Sequence, residues 1–318
     1  MELKHLVTFL AVARELSFTR AARDLDYVQS SVTAHIQALE ADLGVPLFER
    51  LGRRVALTDA GRELRPRAQH LVGYAEQTRE AVAGAAADPR EIRGTLRIAA
   101  PESLCAYRLP AVLSALKERF PLLRVVFGPA GRSALVAGLE DGTLDAGFLL
   151  EESVDHPMTV AERMAREPLR LVAHPHHPLA ARERVATAEL AGETLLVIER
   201  GCAQRDVIDR ELRRTGARPP TMEFVSVEAL KRCAAAGLGV ALVPEATIAD
   251  EAGRGELAVL PWTVAPVLGV HYVLHRDRRP TLVLRTLAGL ARTAWRPPAP
   301  APATAPAPAD AVPGGGPA

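Results

Sequence analysis

Cysteine is scarce in this chain. Three residues in 318 are too few for a disulfide framework, and the secreted scaffolds that depend on one are excluded. An excess of charge is missing as well. The 39 Lys and Arg residues face 38 Asp and Glu, so bulk charge names no partner and any nucleic-acid surface has to come from a local concentration of basic residues. Only one uncharged run, 257–274, reaches the length of a membrane span, and Pro261, Pro266 and His271 make it read as strand, turn, strand. The opening segment MELKHLVTFL carries acid and base in its first four residues and has no apolar h-region, so it does not read as a signal peptide. The expectation is a cytoplasmic protein with no membrane partner.

What is present is ordinary globular composition, 48% hydrophobic and 24% charged, with room for two or three domains of ~100–200 residues. Residues 297–318 hold eight prolines, eight alanines and three glycines, too little apolar side chain to offset ordering, and read as a disordered tail. At the other end, Leu3, Leu6, Val7 and Leu10 form one helical stripe. Ser17 is placed to cap a short second helix, and Val32, Ile36, Leu39 and Leu43 mark a third that Gly44 ends. Two short helices after a longer one suggest a helix-turn-helix. From Thr58 to about Ala87 the pattern is one long helix. Leu64, Leu71, Ala75, Thr78 and Val82 lie close to a heptad seam, which asks for a partner helix and favours dimerisation. After Gly94, strands alternate with helices, including one helix over 104–120, and about 200 residues of this imply two α/β lobes wound on parallel sheets with a ligand cleft between them.

On the third helix, burying Val32, Ile36 and Leu39 turns Ser30, Thr33, Ala34 and Gln37 outward, with Gln29 and Ser31 at the N-terminal end. These are small or hydrogen-bonding groups without a carboxylate, suited to a major groove. A solvated polar face would look the same. The next segment, LFERLGRRVALTDAGRELRPR, holds Arg50, Arg53, Arg54, Arg62, Arg65 and Arg67, and LGRR lies between two short extended runs as in a β-wing. Residues 1–67 carry 10 basic groups against 9 acidic, so the basic character is this cluster alone.

These residues resemble the LysR-type transcriptional regulators. The likeness runs through LKHLVTFLAVARELSFTRAARDL and QSSVTAHIQALEADLGVPLFERLGRRVALTDAG, and continues in GTLRIAAPESLCAYRLP, LEDGTLDAGF, HPLA and AAGLGVALVP. It implies an α/β protein with a winged helix-turn-helix over 1–58 and a linker and dimerisation helix over 59–88. An effector domain similar to type-2 periplasmic binding proteins would cover 89–295, with lobe I at about 92–163 and 267–295 and lobe II at about 168–261. The tail, 296–318, lies outside the likeness. The resemblance further implies a regulator rather than an enzyme, without a cofactor. Its partners would be double-stranded DNA at a promoter inverted repeat, further copies of itself as dimer and tetramer, a small-molecule effector, and RNA polymerase as a candidate contact.

By position, Gln29, Ser30, Ser31, Thr33 and Gln37 fall where the family meets DNA, and Arg50, Arg53 and Arg54 fall in its wing. Two departures stand out. Val28 replaces a common capping serine, leaving Asp26 or water to take the helix N–H groups, and Ala34 replaces a common arginine. The expected effector site comprises Ser103 and Leu104 at a helix N-terminus, Gly131 and Arg132, Phe148, Arg200, Gly201 and Cys202, Val227 and Pro244. A helix terminus and arginines point to a small organic acid.

Three rivals are weighed against this. Cys105, Cys202 and Cys233 raise redox sensing, since a thiol near a helix N-terminus can be reactive. His174, His176 and His177 in HPHHP raise metal sensing, although no carboxylate pattern completes a site. The same two-lobed fold also serves enzymes and transport proteins. GLG at 237–239 lacks the dinucleotide spacing, however, and Ser103 has no evident histidine partner.

Overall fold

The apolar stripes of the first 45 residues fold onto one another. In the computed structural model, which describes residues 1–51, 54–84 and 88–295, they form α1 (Leu3–Glu15), α2 (Phe18–Asp24) and α3 (Gln29–Leu43). Leu6, Phe9 and Val12 meet Ala21, Ala22, Val32, Ile36 and Leu39 in a single buried cluster. Ser17 caps α2 by accepting from the Arg20 N–H (3.3 Å), and Gly44 ends α3 at φ 73°. A hairpin follows, β1 (Phe48–Leu51) paired antiparallel with β2 (Arg54–Leu57). Glu40 seats it on α3, its Oε1 accepting from the N–H groups of Leu47 (2.7 Å) and Phe48 (3.3 Å).

The long helix α4 (Asp59–Gly84) leaves the hairpin through Gly61, where a Cβ would come within 2.2 Å of the Leu47 carbonyl oxygen. Leu64, Ala68 and Val72 pack on the first three helices, whereas Leu71, Tyr74 and Val82 stand 44%, 61% and 72% exposed. That uncovered apolar row contains two of the heptad-seam residues.

The rest of the chain builds one continuous mixed sheet. Its first part holds β3 (Gly94–Ala100), β4 (Leu123–Pro129) and β5 (Ala146–Glu151), with α5 (Glu102–Tyr107), α6 (Leu109–Arg119) and α7 (Arg132–Glu140) between them. The 15-residue strand β6 (Thr159–Ala173) then carries the chain into the second part: β7 (Leu195–Ile198), α8 (Ala203–Thr215), β8 (Thr221–Phe224), α9 (Val227–Ala235), β9 (Val240–Pro244), α10 (Ala249–Gly253) and β10 (Ala258–Val259). Strand β11 (Val267–His275) and α11 (Leu282–Ala294) return to the first part. The strand order is β4-β3-β5-β11-β6-β9-β7-β8, with β10 also on β6.

Two expectations need correction. The sheets are not purely parallel. Each lobe has a parallel trio, but β11 runs antiparallel to β5 and β6, and β6 runs antiparallel to β9. Both lobe-crossing strands lack the crossover helix that a parallel pairing requires. The helix expected over 104–120 is two helices that break at Arg108, because Pro110 has no N–H to give and its ring excludes the carbonyl one turn back. Residues 296–318, including the proline-rich tail, lie outside the described residues. Among the described residues no helix is long and apolar enough to cross a membrane.

Where α4 meets the first lobe, the His70 and His275 rings contact edge to face at 4.8 Å. His275 is buried. Its Nδ1 accepts from the Asp277 N–H (3.2 Å), and its Nε2 has no partner among the described residues. Burial holds its pKa below the ordinary imidazole value, as does the neighbouring His70, against the opposing pull of Asp277 and Glu140. The unfolded chain therefore binds this proton more readily, and stability present above the ordinary histidine range is lost as pH falls through the depressed folded value. The thermal midpoint is expected to drop as pH is lowered from about 7 to about 5. His275→Asn, which keeps the acceptor but cannot titrate, should show a shallower slope, measured by calorimetry across that range.

Candidate functional site

Two regions collect the residues singled out in the sequence. The first is the outer face of α3. Ser30, Ala34 and Gln37 are exposed there, while Ser31 and Thr33 are half-buried. Gln29 is exposed and oriented, since its Oε1 accepts from the Thr19 hydroxyl of α2 at 3.1 Å, and its Nε2 has no partner among the described residues. Thr33 donates to the Gln29 carbonyl (3.0 Å), so its hydroxyl keeps its acceptor capacity outward. Val28 stands at the N-cap without a side-chain cap. The Ser31 N–H bonds to the Val28 carbonyl at 3.0 Å, and Asp26, at φ 54°, supplies no capping bond. The first N–H groups of α3 thus point outward without a side-chain acceptor, as at other anion-binding helix ends.

In the hairpin, Arg50 opposes Val55 and Arg54 opposes Leu51. The side chains of Arg50 and Arg54, and all of Arg53, lie outside the described residues. Arg62 is committed locally to the Leu57 carbonyl and Asp59 (both 2.6 Å), and Arg67 pairs with Glu63. Thr19 and Glu40, which orient Gln29 and seat the hairpin, are not marked by any local sequence signal.

The second region is a cleft of about 350 Å³ between the lobes, at the carboxyl ends of the parallel strands. Ser103, Gly131, Arg200, Gly201, Cys202 and Val227 all line it, joined by Glu102, Glu151, Glu199 and Gln204. Ser103 is only 6% exposed, in the first turn of α5, and its hydroxyl makes no hydrogen bond among the described residues. Three expected residues are elsewhere. Leu104 is core beneath α5, and Pro244 is buried in β9 against Leu169. Phe148 is fully buried between Tyr272 and Trp295, because the alternation of β5 turns it to the face covered by α11. Arg132 lies at the cleft edge, but its Nε bonds to Glu151 Oε1 (2.7 Å), its Nη2 grips the other carboxylate oxygen, and Nη2 also reaches Asp206 of α8 at 3.4 Å. It braces the lobes.

Charge pairs bind both rims of the cleft. On one side stand Arg132 and the pair of Glu152 with Arg210 (3.2 Å). On the other, Glu102 accepts from the Val227 N–H (3.1 Å) and the Ser226 hydroxyl (3.3 Å). Tyr107 donates to Glu228 and accepts from Lys231 (2.6 Å). Lys231 is 1% exposed and also meets Glu251 at 2.7 Å and the Thr247 carbonyl at 2.5 Å. The Tyr107 contact lowers the pKa of Glu228, and burial raises that of Glu151 despite Arg132.

Burial likewise pushes the thiols of Cys202 and Cys105 above the usual range. His177 leans on Glu193 (3.2 Å), and the Nδ1 atoms of His174 and His177 accept backbone N–H groups. Among the described residues no cluster of three or more His, Cys, Asp or Glu is arranged to hold a metal.

A helix-turn-helix with a β-hairpin wing, followed by a long helix and a two-lobed α/β domain, defines the class of DNA-binding regulators. Residues 3–62 match the bacterial regulatory helix-turn-helix proteins of the lysR family, and residues 89–296 match the LysR substrate binding domain. The chain belongs to the LysR family of transcriptional regulators, and the relatives it matches are regulators, not enzymes. It is 36% identical over 297 residues (93% of this chain and all of the relative) to the uncharacterized HTH-type transcriptional regulator YwqM of Bacillus subtilis. It is 34% identical over 286 residues (89% and 88%) to a probable hydrogen peroxide-inducible genes activator of Mycobacterium avium. A full-length OxyR variant from Pseudomonas aeruginosa shares the fold at TM-score 0.74 and 24% identity, covering 92% of this chain and 95% of that one. Full-length CbnR bound to its target DNA does so at TM-score 0.63 and 24% identity, covering 92% and 100%.

The buried Lys231 yields a test of the rim. Removing a partner from a buried ion pair leaves an uncompensated charge, so Lys231→Met should cost about 3–5 kcal/mol. Adding Glu251→Leu should recover a large part of that loss, read as a double-mutant cycle in urea unfolding.

Proposed function

We propose that this regulator reads a promoter inverted repeat through α3 and the hairpin wing, and is switched by a small organic acid held between the lobes. The division proposed is a DNA-binding head over 1–58, a linker over 59–88, and an effector domain over 89–295 ahead of the tail. Pairing along the exposed Leu71–Val82 row would make the dimer, and two dimers a tetramer. The observation that carries the effector reading is Ser103. Its hydroxyl, at the N-terminus of α5, has no hydrogen-bond partner among the described residues and lines the cleft, where free N–H groups and Arg200 favour a carboxylate. Glu102, Glu151 and Glu199 also line the cleft; the charge of the first two is already met by the start of α9 and by Arg132, and Glu199 stands beside Arg200 in sequence.

Peroxide sensing is the second reading, favoured by the relative from Mycobacterium avium and by Cys202 at the start of α8, where the Gln204 and Arg205 N–H groups approach its sulfur. Burial acts against it, because the thiolate is the reactive form and this thiol is held protonated.

Three measurements check these readings. Gln29→Ala should cost about 1–3 kcal/mol at one base pair of the half-site and little on random DNA, while Arg53→Gln with Arg54→Gln should weaken all DNA and flatten the salt slope, by titration against operator and scrambled duplexes. In a thermal-shift screen, small carboxylic acids should raise the midpoint of the wild type and of Cys202→Ser, and fail with Ser103→Ala. Stabilisation by neutral or cationic metabolites alone would refute the acid. A DNA response to peroxide that Cys202→Ser abolishes would establish the redox reading.

A further inference from the structure

A second cavity, of about 220 Å³, lies at the foot of the first lobe and shares no lining residue with the cleft. It opens where the chain enters β3 from the linker, and among its walls are Arg93, Asp145, Arg278, Thr281 and Arg285. The Arg278 side chain is 8% exposed, the least of the three arginines. Its Nη2 donates to Asp145 Oδ1 (2.6 Å), and the other oxygen of that carboxylate accepts the Arg97 N–H (2.6 Å), so Asp145 has no oxygen left without a partner. Arg278 Nε is buried and has no hydrogen-bond partner among the described residues. A buried donor without an acceptor is costly, and Arg278, which lines this cavity, keeps that hydrogen-bonding capacity unspent.

The other donors on the walls point to the same chemistry. Arg285 spends one N–H on the Pro280 carbonyl (2.7 Å), and neither Arg285 nor Arg93 has a carboxylate partner among the described residues. The 13-residue helix α11 starts here behind its cap Thr281, which satisfies the Leu284 N–H and leaves the first N–H groups of the helix unclaimed. Three guanidiniums, a helix N-terminus and one committed carboxylate suit a compact dianion rich in acceptors.

We propose that this cavity binds a phosphate group, free or as the monoester of a small metabolite. Bound there, it joins Arg93, at the exit from the linker, to Arg278 and the start of α11. It is a second input, independent of the cleft ligand, acting where the linker meets the effector domain.

The test uses the full chain and isothermal titration with inorganic phosphate and, separately, glycerol 1-phosphate, against chloride of equal ionic strength. Saturable binding of either in the wild type is expected, with Kd raised at least about tenfold by Arg93→Gln or Arg285→Gln, both exposed positions whose replacement leaves the core intact. A monoester that binds tighter than inorganic phosphate identifies a metabolite, and the reverse identifies free phosphate. The site is overturned if neither anion gives more heat or stabilisation than chloride, or if both single variants bind as the wild type does. Failure of the carboxylic-acid screen at Ser103 leaves this result untouched, since the two cavities have no residue in common.

Discussion

The two lobes of the effector domain share the long strand β6. β6 pairs with β11 from Thr159 to Pro168, with one bulge opposite Val270 and His271, and with β9 from Leu169 to Val172, so one strand belongs to both lobes. The lobes are thus two wings of one twisted sheet. The first lobe presents the N-termini of α5 and α7 to the cleft, and the second presents those of α8 and α9. A ligand placed between them changes the angle at which the wings sit only through contacts that differ between two angles.

Those contacts are the charge pairs on the rims. Glu102 at the start of α9 and Arg132 between Glu151 and Asp206 act as substitutes for a ligand, because each meets a charge or helix end that a small anion would otherwise meet. Under the proposed function, an effector competes with the protein's own carboxylates and does not fill a bare pocket. On that proposal, the free energy available for switching is the difference between the two sets of bonds. It is far smaller than the gross strength of either, as in any exchange of one solvated or paired charge for another.

The fold was legible where periodicity and capping speak for themselves: the stripe of Leu3–Leu10, the cap at Ser17, the stop at Gly44, and the alternation after Gly94. It was illegible where pairing partners are distant. Nothing near β6 or β11 announces an antiparallel, lobe-crossing pair, and the break at Arg108 was signalled by Pro110 but outweighed by the apolar spacing around it. In the cleft, positions on the chain ends of strands and helices were readable, because parallel strands deliver their C-terminal turns to a common edge. Side-chain direction was not. Phe148 and Arg132 lie close together in sequence near the same edge, and only the pleat of β5 and the placement of Glu151 decide that one is core and the other a brace.

The same reasoning explains why Lys231 and Arg278 escaped the sequence. A lysine three residues after Glu228 reads as a surface helix pair, and an arginine in HRDRRP reads as a solvated turn. Each is buried because distant segments, Tyr107 and Glu251 for one, Asp145 and Arg97 for the other, close over it. The partners decide the consequence. Lys231 is surrounded by acceptors and acts as a fastening between the lobes. Arg278 has one carboxylate, already shared with Arg97, and a nitrogen left over. The difference between a structural cation and a binding cation is therefore a count of acceptors around a buried donor, a quantity that belongs to the folded chain and not to any stretch of it.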